Sequence, residues 1–300
     1  MKIRFTTIST IIKTAFKAWI SKDPFRESAA IAYFSIFSLP GMLVVILTIA
    51  GYFFGHDAVS KHVTAQITAA LGVNTAHQIH DMVIKAGEAK NSVWATVIGL
   101  VTIIVGATGV FTEFQKSLNA IWEVKVDKSK GGVWNLIKVR LFSFGLVVCI
   151  AFILIVSLLF SALLSAFGNW LSSHFSDSFV IALQVSNFIV SLIILAAVFA
   201  CMFKVIPDAQ IQWRHVWIGS LVTAFLFNIG KFALGLYFGK ANPGVGYGAA
   251  GSVILILLWV SYSTMIVFYG AEFTRASTAL FSGKAPPSKI AKQEIPCNPA

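Results

Sequence analysis

Long apolar stretches separated by short polar ones dominate the hydrophobic pattern of this 300-residue chain. A stretch of roughly 20 apolar residues is long enough to cross the hydrocarbon core of a bilayer as a helix. Six stretches come close to or exceed this length. Because the bilayer core offers the backbone no hydrogen-bond partners, each of them is predicted to be helical. The predicted spans are residues 29–54, 93–111, 141–167, 179–203, 216–238 and 250–271.

The predicted fold is therefore an all-α, polytopic transmembrane helix bundle whose membrane domain covers residues 23–280. Residues 55–92 are polar enough to leave the membrane, and their apolar positions recur at helical spacing. We expect them to form a small helical cap on the outer side. Residues 281–300 combine two consecutive prolines with scattered lysines, and are predicted to be a disordered cytoplasmic tail.

Residues 1–22 are predicted to form a basic amphipathic helix that precedes the first span. Lys13 and Lys17 occupy the side opposite to its apolar face. The apolar face consists of Ile8, Ile11, Ile12, Ala15, Phe16 and Trp19. Such a helix either lies flat on the anionic surface of the membrane or packs against the bundle, and the pattern leaves both open. The Asp23-Pro24 pair should end it, since proline disfavours helix in the preceding residue.

Composition and charge support a membrane protein and set its orientation. Hydrophobic residues make up 57% of the chain and charged residues only 12%, whereas a soluble domain carries about 25%. The net charge of +11 could indicate nucleic-acid binding, but its distribution follows the loops. The predicted inner segments hold 18 Lys and Arg residues against 4 in the outer ones. The positive-inside rule then places both termini in the cytoplasm. The inner segments are residues 1–26, 113–140, 204–215 and 272–300.

The first span contains a proline, Pro40, that should kink or break its helix. Tyr33, Ser35 and Ser38 lie beside this break, where freed backbone groups could help them to bind a substrate. Irregular backbone at membrane depth is tolerated mainly where it lines a cavity. The alternative is a simple kink in which the hydroxyl groups bond to their own helix.

Lys231 is the candidate substrate-binding residue that stands out most, because it lies within the fifth predicted span. A charge near the bilayer centre costs at least about 2.5–3.5 kcal/mol, so it usually faces a cavity or a partner. Asn228 lies one helical turn earlier on the same face. We expect the pair to contact an anion or a lipid headgroup. The alternative is that Lys231 snorkels to the outer interface.

Four polar residues gather at the predicted inner ends of the second and sixth spans: Glu113, Asn119, Glu272 and Arg275. They could form an inner gate in which Glu272 pairs with Arg275 or with Lys116. Alternatively, they are interfacial ion pairs that fix the helix ends.

The sequence offers no catalytic constellation, and neither a cofactor nor a metal site is predicted. No Ser-His-Asp or Cys-His set falls within one compartment, and no acidic cluster suits Mg²⁺ at a nuclease centre. His77 and His80 are spaced to share a metal, but no further ligand is fixed near them. Basic residues without interleaved exposed aromatic residues also argue against nucleic-acid binding.

Four separated blocks of the chain resemble the YihY/BrkB family of bacterial inner-membrane proteins, once labelled ribonuclease BN. The first block runs from Ala29 to Pro40, and the second runs from Gly106 to Trp122. The remaining blocks comprise Ile206-Pro207 with Trp213 and Gly219, followed by Gly230-Lys231, Tyr237, Tyr247-Gly248, Leu258-Trp259 and Gly270-Ala271-Glu272. Gly41 departs from the family, which often has a second proline or a bulky residue there. The resemblance implies six spans and an inner-membrane location, but no established activity.

These features favour a non-enzymatic transporter or flippase-like protein for a lipid, a lipid-linked molecule or another amphipathic or anionic substrate. Two alternatives are a membrane scaffold for envelope machinery, which would engage proteins through residues 55–92, and a cation/proton exchanger. A ribonuclease ranks last. Membrane lipids are the expected partners, nucleic acid is not, and the sequence leaves open whether the protein forms a homo-oligomer.

Overall fold

The structure is a computed structural model, and it is helical throughout most of the residues that it describes. The described residues are 5–38, 64–65, 68, 93–126, 177–241, 247, 250–283, 285–288 and 291–293. Three predictions lie outside them entirely or nearly so: the third span at 141–167, the outer cap at 55–92 and the break at Pro40.

Six helices and two short strands make up the described part of the chain. Helix α1 is Phe5–Ser21, and α2 comprises the helical residues 24–38. The remaining helices are α3, Val93–Ile121; α4, Asp177–Val205; α5, Trp213–Ala241; and α6, Gly251–Ser282. Strand β1, Val124–Val126, pairs antiparallel with β2, Ala291–Gln293.

Within the described residues, three helices are long and apolar enough to cross a membrane: α4, α5 and α6. Only 22–33% of the residues in their apolar windows are buried inside the molecule. Large apolar side chains such as Phe188, Phe225 and Phe232 are more than half exposed. Since water does not favour such a surface, lipid is the medium that covers it.

The helices are longer than the predicted spans. α3 continues ten residues beyond the predicted end at 111, and α6 continues eleven beyond 271. The extra turns carry charged and polar residues, so a hydropathy pattern ends before the helix does.

The prediction for the break between α1 and α2 is confirmed, because α1 ends at Ser21 and helix resumes at Pro24. The backbone carbonyl of Asp23 accepts hydrogen bonds from the amides of Arg26 and Glu27, which starts α2.

The described chain divides into two compact units, and three of the helices run from one into the other. The first unit contains residues 1–22, 115–226 and 267–300. Its core includes Leu118, Phe203, Ile211 and Val216, each nearly inaccessible to solvent. The second unit contains residues 23–114 and 227–266.

In the first unit, α5 and α6 approach each other through a reciprocal glycine–threonine contact. A methyl group added at Gly219 would come within 2.8 Å of the Thr274 Cβ, and one added at Gly270 would come within 2.8 Å of the Thr223 Cβ. The Thr223 hydroxyl donates to the Gly219 carbonyl oxygen at 2.7 Å, and the Thr274 hydroxyl donates to the Gly270 carbonyl oxygen at 2.8 Å. Small residues spaced by four thus allow close backbone contact, while both threonine hydroxyl groups find acceptors in their own helices.

The second unit also packs helices through glycine. The Phe34 ring of α2 lies over Gly109 of α3, where an added methyl group would meet the ring at 2.3 Å. Ser38 is buried against Gly106 in the same way. These contacts fix α2 against α3 by shape alone.

The prediction that residues 281–300 form a disordered tail is wrong for the described part of this segment. Helix α6 extends to Ser282, and β2 then pairs with β1. The Gln210 amide donates to the Pro286 carbonyl oxygen at 2.8 Å, and the Ser288 amide donates to the Asp208 carbonyl oxygen at 2.8 Å. Backbone hydrogen bonds of this kind do not depend on hydrophobic side chains, so the polar composition of the tail did not reveal them. The all-α prediction likewise missed this small sheet.

Gly219→Ala should destabilise the protein, because the new methyl group overlaps Thr274. Overpacking of this kind costs about 1–3 kcal/mol, which corresponds to a fall of roughly 3–8 °C in the thermal unfolding midpoint in detergent. Thr274→Gly removes the obstructing atoms. The double variant should therefore be about as stable as Thr274→Gly alone. Strictly additive losses would show that the two positions are not in contact.

Candidate functional site

The carboxylate of Glu272 is the centre of a buried group of charges in the first unit. Its side chain is only 1% exposed, although it lies in the apolar helix α6. An isolated buried carboxylate would be very unfavourable, so a buried acid requires cations and hydrogen-bond donors. Lys22 and Arg275 supply them, at 2.7 Å to Oε1 and 2.9 Å to Oε2 respectively.

Lys22 connects the end of α1 to the end of α3 and to α6. Its ammonium group donates to the carbonyl oxygens of Ala120 and Ile121, at 3.0 and 3.1 Å, and forms an ion pair with Glu272. These carbonyls are in the last turn of α3, where no further amide is available within the helix. Burial lowers the pKa of Lys22, while the negative charge of Glu272 opposes this shift.

Arg275 joins Glu272 to a fourth charge, that of Glu123. Its Nη1 lies 2.5 Å from Glu123 Oε1. Glu123 follows the end of α3 in the left-handed conformation, with φ at 54°. Glycine usually occupies this position, because a side chain there costs about 1–2 kcal/mol. We call Lys22, Glu123, Glu272 and Arg275 the charge cluster. Its two cations and two carboxylates connect the ends of α1 and α3 to α6.

A second polar group, based on Asp208, lies in the same unit. The Asn119 amide nitrogen donates to Asp208 Oδ2 at 2.8 Å, and the Asp208 backbone amide donates back to Asn119 Oδ1 at 2.8 Å. Gln115 donates to the same carboxylate oxygen at 3.3 Å. This arrangement anchors the turn after α4 to the last part of α3. The tail binds the same turn through Ser288.

The structure brings together part of the predicted gate. Glu272 and Arg275 form the pair that the sequence suggests, whereas Asn119 bonds to Asp208. Lys116, the other proposed partner of Glu272, is exposed on α3. Glu113 is half-buried and belongs to the second unit.

The predicted substrate-binding residues that the structure describes belong to the second unit. Lys231 and Asn228 are both half-buried on α5. Exposed Ile229 and Phe232 lie next to Lys231 along the helix. The role of Lys231 as an anion contact stays a prediction, and so does its alternative of snorkelling.

The hydroxyl groups of Ser35 and Ser38 in α2 bond to their own helix, which is the alternative to substrate binding stated above. Ser35 donates to the Ile31 carbonyl oxygen at 2.8 Å, and Ser38 donates to the Ser35 carbonyl oxygen at 3.1 Å. Tyr33 is 58% exposed and packs its ring edge-on against Phe34 and Phe37. The two serines therefore already have hydrogen-bond acceptors within their own helix.

Sequence reasoning missed four members of these polar groups: Lys22, Gln115, Glu123 and Asp208. Lys22 directly precedes the Asp23-Pro24 break, and Asp208 directly follows Pro207. Polar residues beside such breaks are candidates for helix-end contacts, but no spacing rule connects residues so far apart in sequence. Among the described residues, no group of three or more His, Cys, Asp or Glu side chains could hold a metal ion.

Comparison with known proteins identifies the family. The family described as virulence factor BrkB matches residues 15–293 of the chain, which include all four members of the charge cluster. The chain belongs to this family. The match covers α2 to α6 in full and α1 from Ala15 onward. The expected resemblance to YihY/BrkB proteins is thereby confirmed. The chain is an integral membrane protein.

Relatives of this BrkB-family chain are named only as membrane proteins. It is 25% identical to a "UPF0761 membrane protein" of Alteromonas mediterranea over 98% of both chains. It is 25% identical to one of Pseudoalteromonas atlantica over 87% of this chain and 83% of the relative. A Saccharophagus degradans relative, also 25% identical, is longer, and this chain covers 58% of it. No solved structure matches the chain.

Glu272→Ala should destabilise the protein far more than the loss of an exposed acid does. Removal of Glu272 leaves Lys22 and Arg275 partly buried without their shared counter-charge, which costs on the order of 3 kcal/mol. The matched control is Glu27→Ala, which removes the Arg26–Glu27 pair at 3.2 Å, where Arg26 is 77% exposed. Thermal unfolding in detergent should show a clear fall for the first variant and little change for the second. Equal effects would contradict the assignment of Glu272 as the centre of the cluster.

Asn119→Asp should make stability depend on pH. The substitution places a second carboxylate against Asp208, and one of the two must take up a proton to remain buried. Protonation becomes harder as pH rises, so the loss in unfolding midpoint should be larger at pH 8 than at pH 5. Ala120→Asp, at the exposed neighbouring position, is the control and should show no such trend. A pH-independent loss in Asn119→Asp would rule out direct contact between the two acids.

Proposed function

We propose that the protein is a transporter for a lipid, a lipid-linked molecule or another amphipathic anion, and that the charge cluster is its gate. The observation that carries the proposal is a charge-balanced cluster around the buried carboxylate of Glu272, where the ends of α1 and α3 meet α6. Apolar side chains would hold these helices together without the cost of removing charges from water. Ion pairs, however, can exchange partners, and this property suits a contact that has to open.

The chemistry of the cluster favours an anionic substrate. A phosphate or carboxylate headgroup competes with Glu272 and Glu123 for the guanidinium of Arg275 and the ammonium of Lys22. Arginine binds such groups through two parallel hydrogen bonds. When a headgroup takes over these cations, the contacts that Lys22 makes to α3 and to α6 weaken together. Lys231, within the apolar helix α5, would offer a further cation to an anion inside the membrane.

We also propose that the charge cluster faces the cytoplasm and that the membrane is the bacterial inner membrane. The first unit gathers nearly all of the residues in the four segments that carry 18 of the 23 Lys and Arg residues. The positive-inside rule places such segments on the cytoplasmic side. This arrangement agrees with six spans and with two cytoplasmic termini.

A cation/proton exchanger is the second candidate. The observation that favours it is the near-complete burial of Glu272 within α6, since exchangers require an acid in the membrane that binds and releases a proton. Lys22 and Arg275 already lie against both carboxylate oxygens of Glu272, which weighs against this reading. Proton flux across vesicles, with and without a cation gradient, distinguishes it from anion transport. The scaffold hypothesis stays a prediction, because the cap at 55–92 lies outside the described residues.

Crosslinking α1 to α6 beside the charge cluster should stop transport. In a background without the three native cysteines, Trp19→Cys with Tyr269→Cys can be joined by a bifunctional thiol reagent, because the two native rings lie 6.0 Å apart between centroids. This pair leaves all four charges of the cluster in place. The protein is then reconstituted into vesicles with fluorescently labelled anionic phospholipid. We expect transport to fall at least about tenfold on crosslinking and to recover on reduction, because α1 and α6 can no longer separate.

The control pair is Lys125→Cys with Lys292→Cys, which are opposite each other in the β1–β2 register and lie outside the cluster. Crosslinking there should leave transport unchanged. Unimpaired transport by the crosslinked Trp19–Tyr269 pair would refute the gate. Failure of the native protein to move labelled lipids or small organic anions would refute the transporter proposal itself.

A further inference from the structure

Helix α1 buries only one of its two apolar stripes. Ile11 and Ala15 pack against Phe273 of α6, together with the partly buried Val222 and Tyr269. Trp19 continues this stripe, with its ring edge-on to Tyr269 at 6.0 Å between centroids. The helix is therefore attached to the first unit along one line of contact, and its orientation about its own axis is fixed.

The second apolar stripe remains on the surface. Its members follow one another at intervals of four residues and are between 42% and 53% exposed: Ile8, Ile12, Phe16 and Ile20. At 100° per residue they cover about 120° of the helix circumference. Scattered apolar side chains on a surface need no explanation, but a continuous stripe along three turns marks a contact with something apolar.

The charges beside this stripe are all positive. Lys13 and Lys17 are exposed and lie along its edge, and α1 contains no acidic residue. Apolar side chains flanked by lysines match the boundary between acyl chains and anionic headgroups, where lysine stems lie along the apolar layer and the ammonium groups reach phosphate.

The residues that α1 packs against lie at the level where the membrane boundary is expected. Trp213 and Trp217, at the start of α5, are 51% and 40% exposed, and exposed tryptophan is enriched at membrane interfaces. Val222, which packs against the cluster of Ile11, Ala15 and Phe273, is five residues after Trp217, or about 7.5 Å along the helix axis. Interfacial helices insert their apolar face about 5–10 Å below the headgroups, so this contact suits a helix partly sunk into one leaflet.

We propose that the stripe of Ile8, Ile12, Phe16 and Ile20, with Lys13 and Lys17, is a docking site for anionic phospholipid in one leaflet of the membrane. This inference does not depend on transport. It also links lipid binding to the charge cluster, because Lys22 follows α1 directly and contacts the end of α3 and Glu272 of α6. A leaflet that positions α1 thereby positions Lys22.

The test uses the full chain in nanodiscs and a spin label attached at single cysteines in the background without native cysteines. Labels at Ile12 and Phe16 report on the stripe, and a label at Thr14 reports on an exposed position on another side of α1. We expect the stripe labels to be accessible to oxygen and shielded from a water-soluble nickel chelate. The Thr14 label should show the reverse.

Stripe labels that are accessible to the nickel chelate would overturn the proposal, because the stripe would then face water. Stripe labels shielded from both reagents would overturn it too, because a protein surface, such as a second copy of this chain, would then cover the stripe.

The charge requirement is tested by lipid selection. The protein is exchanged into mixed micelles of phosphatidylglycerol and phosphatidylcholine, and the retained lipids are counted by native mass spectrometry. A basic residue near an anionic surface contributes about 1 kcal/mol, or roughly fivefold. We expect Lys13→Gln with Lys17→Gln to lower the preference for phosphatidylglycerol at least fivefold.

Lys116→Gln with Lys125→Gln removes two equally exposed lysines elsewhere in the first unit and should leave the lipid preference unchanged. An equal loss in both double variants would mean that net charge alone selects the lipid, and no loss in either would mean that the lysines of α1 do not contact headgroups. Each result would refute the site.

Discussion

A carboxylate with almost no access to solvent must be neutralised by groups close to it, and the position of Glu272 imposes this requirement on the first unit. Two cations meet it from different parts of the chain: Lys22 from the end of α1, and Arg275 from the next turn of α6. Lys22 also satisfies the last carbonyl groups of α3, and Arg275 also holds Glu123, whose backbone is in the left-handed conformation. One buried charge thus links the residue that follows α1 to the end of α3.

Close packing of α5 on α6 makes this position of Glu272 possible. Gly219 and Gly270 allow the two backbones to approach, and Thr223 and Thr274 fill the remaining space while bonding to their own helices. In a membrane, apolar side chains gain little by leaving lipid for another helix, so shape complementarity must supply much of the association. A few small residues therefore contribute to stability out of proportion to their size.

Much of the architecture could be predicted from local pattern. The length of the apolar stretches predicts α4, α5 and α6, and the Asp23-Pro24 pair predicts the end of α1. Helical spacing predicts the pairing of Glu272 with Arg275. Long-range contacts could not be predicted in this way. Nothing local connects Lys22 with residue 272 or Asn119 with Asp208, because these contacts depend on how helices are arranged in space. The tail was misjudged since it is held by backbone hydrogen bonds, which leave no hydrophobic signature.

The pairing of β2 with β1, and of the tail with the turn after α4, has a consequence for the order of assembly. Residues 285–293 are synthesised after every element that they contact, and the same is true of Glu272 with respect to Lys22 and Glu123. During translation, Lys22 after α1 and Glu123 after α3 therefore lack their counter-charges, Glu272 and Arg275, until α6 has been synthesised and inserted. The charge cluster is complete only after the last helix has been inserted, so the first unit can adopt its native packing only late in biogenesis. A chain interrupted before α6 would leave Lys22 without Glu272 and Glu123 without Arg275.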